Sequence, residues 1–513
     1  MDILAMHADG RPDAPAVIDD RLGEEPRIIT YKELNERANR VANALLGLGL
    51  KLGDKVITVG ANAPEHFVCT NAVAKMAGTN VPMNYRLKPK EMAYQIDNSD
   101  CVAIFVGPGQ VDLVEAARSS APNLRHTIAW GTDKVPDGWL RLDDLMEQGS
   151  SAQPEIPEGA TGGLMLYTAG TTGNPKGAHR RAGLGGTSTG GGGSFFNVKP
   201  GTPHLAAGPL YHSAPYAFAS AGVMLGGGVV MMHRFDPEEA LRLIDKHKAA
   251  WTFMAPTLLA RIVNLPDDVK AKYDVSPMTS IVCAAAPCPF ELKRRVLDLF
   301  GPSLWEFYGA SETGMNTIMS PEEHLKKPGA CGKVIDGQDV KILDEEGNEC
   351  PPGMPGEIYI KAAGMIDEYY KNEEATNEAW RDDYFTVGDV GYFDEDGYLY
   401  ISDRKKDMII SGGVNIYGAE IENAIHAHPK VWDVAVIGIP NEEFGEQVHA
   451  IVQPKPGETI TEGEIIQWVG EQIADYKKPR SVEFREDFPR DDAGKIRKRD
   501  LREPYWEGRT TRV

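Results

Sequence analysis

"TYKELNERANRVANALLGLGLKLGDKVITV", residues 30–59, reads as one helix running through a glycine-rich turn into one strand. Thr30 and Glu33 stand at capping-box spacing, in which the hydroxyl takes the N–H three residues on and the carboxylate returns the bond. Leu34, Ala38, Val41, Ala42 and Leu45 then recur with helical period, giving one apolar face that ends at the glycines of "LGLGLKLGD". "KVITV" at 55–59 is short, β-branched and apolar throughout, the pattern of a strand covered on both faces. The same alternation continues outward. "PEHFVCTNAVAKMAG" is a helix opened by Pro64, and "CVAIFV" at 101–106 is another strand. "AAWTFMAP" (249–256), a helical segment near 257–264, "SIVCAAAP" (280–287) and the helical "FELKRRVLDLF" follow. Alternation of this kind implies an α/β fold with a mostly parallel sheet.

The texture changes from about residue 333, where "DEEGNE" and "DEDGY" separate "DVKIL", "GEIYI" and "YLYIS" as hairpins. After "ISDRKKD" comes a smaller α+β order: helix 417–427, strands 433–439 and 449–454, helix 461–476 and strand 481–486. Thr461 and Glu464 repeat the capping box. The reading is a large domain over residues 1–402 and a small one over 403–513.

Composition removes several function classes. With 513 residues and 42% apolar content the chain builds more than one core. A formal charge of −21 argues against a nucleic-acid partner, though a local basic patch can hold a small phosphorylated ligand. The six cysteines, at 69, 101, 283, 288, 331 and 350, lack zinc or disulfide spacing and read as buried thiols of a reducing compartment. "MDILAMHADG" carries no secretory pattern, and "YAFASAGVMLGGGVVMM" (216–232) is short for a bilayer span. A buried helix followed by a strand suits it better, and a cytoplasmic protein without a membrane span is expected.

Three clusters carry chemistry. "GGLMLYTAGTTGNPKGAHR" (162–180) runs a strand into a Gly/Thr turn whose N–H groups, hydroxyls and Lys176 make an anion cradle. It nearly matches the P-loop, but Pro175 replaces the second glycine and Gly177 the Mg²⁺-holding hydroxyl. Taken alone it is as often an ordinary loop. "EFYGASETG" (306–314) places Glu312 and Thr313 on a glycine-flanked turn that could hold Mg²⁺ and a phosphate oxygen, with Tyr308 offering a face to a base. The bland alternative is a turn with a helix N-cap at Ser311. In "YFTVGDVGYFDEDGYLYISDRKKDMIISGGVNIYGAEIE" (384–422), Asp389 can accept two ribose hydroxyls and Arg404 can donate to sugar or phosphate. Otherwise "RKKD" is a solvated charge run and "SGGVN" a tight turn.

In this order and spacing the clusters resemble the core motifs of the adenylate-forming superfamily: acyl-CoA synthetases, peptide adenylation domains and beetle luciferases. The similarity runs from the Thr30 helix to "GKIRKRDL". It implies a large N-terminal domain of two αβα-type subdomains and a β-rich subdomain, with a small mobile C-terminal domain. It also implies roles. Thr168, Gly170, Thr171, Thr172, Gly173 and Lys176 match the loop that grips the β- and γ-phosphates of ATP. Tyr308 with Gly309, Glu312 and Thr313 match the adenine-stacking aromatic segment, the Mg²⁺-associated carboxylate and the α-phosphate contact. Asp389 and Arg404 match the ribose ligands, Lys406 the hinge, and Gly412 and Gly413 the loop bordering the pantetheine tunnel. Lys495 matches the lysine that bridges the attacking carboxylate and the α-phosphate, where an ammonium offsets developing charge. Arg490, Arg497, Lys498 and Arg499 read as a surface basic patch. His212 in "PLYHSAPY" matches a gate on pantetheine access.

The sequence departs from the pattern at Ala169, where a serine is common, and in "GLGGTSTGGGGSF" (183–195), where relatives have a helix and each glycine costs about 1 kcal/mol against alanine. No aspartate near "YHSAPYAFA" is placed to hold an ammonium, which disfavours an amino-acid substrate. The small residues of "AFASAGVMLGGG" and "CAAAP" lie near where the resemblance puts the acyl pocket. The expectation is therefore an enzyme using ATP, Mg²⁺ and CoA on a medium- or long-chain or bulky aromatic or polycyclic acid. Transfer to a carrier-protein pantetheine or an amine is the alternative within the fold. A γ-phosphate-cleaving NTPase and a non-catalytic nucleotide binder are disfavoured. The oligomeric state is left open, a homodimer included.

Overall fold

A computed structural model describes residues 2–168, 174–182, 195–404, 407–412, 414–490 and 494–507. Helix Tyr31–Gly47 begins at Thr30 with both bonds of the capping box in place. Its buried face is Leu34, Ala38, Val41, Ala42 and Leu45, the stripe read from the sequence. Strand Lys55–Val59 follows, then helix Pro64–Lys75 with proline in its first turn, where a missing N–H costs nothing.

Lys55–Val59 lies inside an eight-stranded sheet, parallel to Thr79–Met83 on one side and Ala103–Val106 on the other. One end of this sheet is antiparallel: Gly163–Thr168 pairs with Lys176–Arg180, which pairs with the two-residue strand Glu368–Tyr369. A second sheet of nine strands has a parallel centre that includes Trp251–Met254, Ser280–Cys283 and Leu304–Ala310. It too ends antiparallel, in the hairpin of Leu304–Ala310 with Gly314–Met319. Alternation along its strands separates two cores. Met254, Ile281 and Cys283 face helices Pro256–Val263 and Phe290–Phe300, whereas Trp251, Phe253, Val282 and Phe307 face helix Ser213–Met224. That last helix is followed by strand Val229–Met231, as the apolar stretch implied. Among the described residues no helix is long and apolar enough to cross a membrane.

A six-stranded hairpin sheet includes Asp389–Phe393 and Leu399–Arg404. A five-stranded sheet follows, from Ile409–Ser411 onward. Its long hairpin, Val431–Asn441 with Gly445–Pro454, sends Val434 and Val436 toward helices Gly418–His426 and Glu462–Gly470. Ala435 and Ile437 point the other way, to Phe488 and Leu501. The second helix is shorter than the 461–476 expected. It closes where the N–H groups of Gln472 and Ile473 both turn onto the Val469 carbonyl.

Candidate active site

The two antiparallel sheet ends converge, and their turns bring together residues far apart in sequence. Thr168 closes strand Gly163–Thr168 opposite Lys176, so the phosphate-type loop hangs from a paired stem. Gly170, Thr171, Thr172 and Gly173 of that loop lie outside the described residues. The Thr168 hydroxyl donates to Glu312 Oε1 at 3.1 Å, and the Tyr369 hydroxyl donates to the same oxygen at 3.1 Å. Lys176 Nζ sits 4.9 Å from the centre of the Tyr369 ring. Lys176, Tyr369 and Glu312 thus form a continuous polar wall.

Glu312 and Thr313 are carried on the turn between Leu304–Ala310 and Gly314–Met319. No helix starts at Ser311; Gly314, at φ +76°, returns the chain as a strand instead. Both side chains are buried, and Arg180 fastens the turn by donating to the Ser311 carbonyl at 2.7 Å. Burial lowers the Arg180 pKa, and the carboxylates of Glu312 and Asp367 work against that shift. Thr313 donates to Asn316 Oδ1 at 2.7 Å, and Asn316 donates onward to Gln338 at 3.0 Å. This fixes the hydroxyl's direction.

On the same hairpin Tyr308 donates its hydroxyl to Asp389 Oδ2 at 2.9 Å. A bulge between Tyr308 and Gly309 turns the strand there. Asp389 faces Arg404 across the pair Asp389–Phe393/Leu399–Arg404. An aromatic ring and a carboxylate are therefore held side by side, which suits a nucleoside.

His212 is the N-cap residue of helix Ser213–Met224, its ring 4.4 Å from that of Tyr211. Gly412 lies at the end of the hairpin formed by Ile409–Ser411 and Val414–Ile416, at φ +60° with its N–H on the Phe444 carbonyl at 2.8 Å. Gly413 and Lys406 fall outside the described residues, as does the side chain of Arg404. Lys495 follows Gly494 in a loop that touches the large domain: a Cβ on Gly494 would lie 2.3 Å from Thr257 Oγ1.

Part of the expected basic patch is not surface. Arg490 donates to the Gly494 carbonyl at 3.0 Å and pairs with Asp433, and so braces the lysine loop from within. Lys498 lies between Glu422, at 2.8 Å, and Asp403, at 3.8 Å. Burial opposes its charge, but the two carboxylates outweigh burial and raise its pKa. Arg497 and Arg499 are exposed, as read. Asp407, read as part of a solvated charge run, instead pairs with a largely buried Arg502 at 2.9 Å. Arg180, Asn316 and Tyr369 were not singled out from the sequence. Arg180 and Tyr369 matter through partners brought by the fold, whereas Asn316 takes Thr313 from three residues before it and Gln338 from the next turn.

The residues suit a magnesium nucleotide. Among the described residues no three His, Cys, Asp or Glu side chains group as a metal cage. One buried carboxylate with two hydroxyl neighbours is the donor set expected where Mg²⁺ takes most of its ligands from phosphate and water.

A parallel α/β body whose hairpin holds an aromatic ring beside a carboxylate, with a small α+β unit after it, is an architecture that suits a nucleotide-using enzyme. Comparison places it further. The profile of AMP-binding enzymes matches residues 4–370, and that of the AMP-binding enzyme C-terminal domain matches 420–495. A feruloyl-CoA synthase from Amycolatopsis is 34% identical over 486 residues, 93% of this chain and 94% of that one. A long-chain-fatty-acid–CoA ligase from Mycobacterium tuberculosis is 33% identical over 482 residues, 93% of each. ATP-bound MatB from Rhodopseudomonas palustris superposes with a TM-score of 0.86 at 31% identity, covering 98% of this chain and 99% of that one. The chain belongs to the AMP-binding enzyme family, and so to the adenylate-forming superfamily.

Proposed function

We propose that the protein is an ATP-dependent carboxylic acid:CoA ligase with two half-reactions in one site. A carboxylate oxygen attacks the α-phosphorus and pyrophosphate leaves, giving acyl-AMP. The CoA thiol then attacks the acyl carbon, the thiol proton is lost, and AMP departs with the carboxylate oxygen. The observation that carries this reading is that one hairpin, Leu304–Ala310 with Gly314–Met319, joins two other strand ends: Glu312 in its turn meets Thr168, and Tyr308 on its first strand meets Asp389.

In the proposal, Tyr308 and Gly309 face the adenine, Asp389 and Arg404 hold the ribose, and the loop from Thr168 to Lys176 grips the departing pyrophosphate. Glu312 holds Mg²⁺, which supplies charge neutralisation at the phosphates. Thr313, aimed by Asn316, donates to the α-phosphate. Lys495 brings an ammonium between two anions, so that their approach is no longer opposed by charge. The small domain, 403–513, then turns about Lys406 and exchanges the Lys495 face for the Gly412–Gly413 face, with His212 gating the thiol's path.

The acid is bulky and apolar, and an aromatic acid is favoured over an extended chain. Ala284 packs against a cluster of rings: Phe218 lies 5.1 Å from Phe253 and 6.1 Å from Phe307, both stacked, with Phe196 at 5.9 Å. Such a wall accepts a flat ring at its face and leaves little room for a chain to run past.

The test is pyrophosphate and AMP release over a panel of aryl, arylalkenoic and fatty acids, with and without CoA. AMP with pyrophosphate is expected, and ADP with phosphate would refute adenylation. Lys495→Ala should abolish acyl-AMP formation yet spare thioester formation from supplied acyl-AMP. Normal adenylation by that variant removes the lysine's role.

A further inference from the structure

Thr257 is the second residue of helix Pro256–Val263 in the large domain, and its hydroxyl is buried without a hydrogen-bond partner. Directly against it packs Gly494 of the small domain. A side chain at 494 would bring its Cβ within 2.3 Å of Thr257 Oγ1, 3.0 Å of Cβ and 3.2 Å of Cγ2. Gly494 is also at φ +83°, where other residues are strained. Space and backbone conformation therefore both require glycine at the point of contact. Gly494 is held from the other side as well, since Arg490 donates to its carbonyl at 3.0 Å, pairs with Asp433, and is bridged through its backbone to Ile496. A glycine braced on one side and resting on a single side chain on the other has its position set by that side chain. The next residue in the chain is Lys495.

We propose that Thr257 is the seat of the lysine loop: it positions Lys495 for the acyl-AMP-forming half-reaction, and its unpartnered hydroxyl keeps the docking weak enough to be released for the second. The proposal rests on the ligase reading above. The physical argument has two parts. The close fit sets how far the loop, and with it Lys495, penetrates the site, and displacement of about 1 Å at a reacting centre is enough to cost large factors in rate. The buried hydroxyl loses water on docking and gains nothing in return, so undocking regains its hydration. A seat that fits well in shape and poorly in polarity suits a loop that must arrive and leave once per turnover.

Two substitutions should then act with opposite sign. Thr257→Leu adds bulk beneath Gly494 and lifts the loop, so pyrophosphate formation should fall roughly tenfold or more while thioester formation from supplied acyl-AMP stays within about twofold of wild type. Thr257→Val keeps the shape, removes the polar mismatch and strengthens docking. It should keep or raise the rate of pyrophosphate formation and slow the thioester step severalfold. Thr257→Ser, which keeps the hydroxyl, should follow wild type. A second readout needs no activity: acylation of Lys495 by an amine-reactive ester in the free enzyme, followed by peptide mass spectrometry, should rise in the leucine variant and fall in the valine variant. Equal loss of both half-reactions, no change in either, or shifts of the same sign in the two variants overturns the seat. If the labelling moves as stated but wild type releases ADP in place of AMP, it is the ligase reading that fails, and with it the catalytic meaning of the seat.

Discussion

Gly309→Ala probes the hairpin on which the site is built. A Cβ at this position would stand 2.0 Å from the Gly314 carbonyl oxygen and 3.0 Å from both Gly314 C and Met315 Cα. All of these are backbone atoms of the paired strand, so no rotamer change can relieve the clash. Restoring an ordinary carbon–oxygen separation means moving one strand by about 1 Å. The strands that would part carry Tyr308 on one side and Glu312 and Thr313 in the turn, so the nucleoside and phosphate contacts separate together. Overpacking of this kind costs about 1–3 kcal/mol of stability, and misplacement by about 1 Å costs on the order of 100-fold in rate. ATP–pyrophosphate exchange with the preferred acid should fall by about that factor, with a lower melting temperature. Gly463→Ala is the control, because a Cβ there meets nothing within 4 Å in helix Glu462–Gly470. Its exchange rate should stay at the wild-type value. A Gly309→Ala enzyme that melts and exchanges like wild type would refute the idea that hairpin spacing sets the site.

Glu312→Gln keeps an oxygen for the Thr168 and Tyr369 hydroxyls but removes the charge. Thermal stability in the absence of nucleotide should change little, whereas pyrophosphate formation drops by about 100-fold and needs more Mg²⁺ to saturate, as a titration of rate against Mg²⁺ will read. Phe218→Ala opens the ring wall: the protein should be destabilised by about 3–5 kcal/mol in urea, and AMP release should shift toward longer acids on the panel. Asp20 is buried, and although burial opposes its charge, Lys246, His247 and Arg242 lower its pKa from 3.8 to about 2. Its folded pKa lies below the unfolded one, so its contribution is complete above about pH 4 and is lost as pH falls through about 2. Asp20→Asn should be less stable than wild type by about 1–2 kcal/mol at neutral pH, allowing for screening. That gap should close between pH 4 and pH 2 in acid-unfolding curves.

The alternation of helix and strand was legible because each element carries its own signal. The Thr30 capping box and its stripe gave helix Tyr31–Gly47, and Pro64 marked the start of the next. Helix Glu462–Gly470 was overextended because Ile473 continues the apolar spacing past the point where the backbone tightens. The misreadings in the site are of one kind. Lys498 and Arg490 look like any basic surface run until Asp403, Glu422 and Asp433 come in from other elements. Tyr369 belongs to a two-residue strand that signals nothing locally, and it reaches Glu312 only because that strand pairs with Lys176–Arg180.

Sequence by itself determined the α/β class and the kinship with adenylate-forming enzymes, since these rest on periodicity, caps and short motifs that act within one turn or strand. Tertiary structure alone decided which charges are buried, how the Glu312 carboxylate is framed, and that Gly494 meets Thr257. Those outcomes depend on the dielectric and the spacing between elements distant in the chain, quantities that exist only after the sheets have packed.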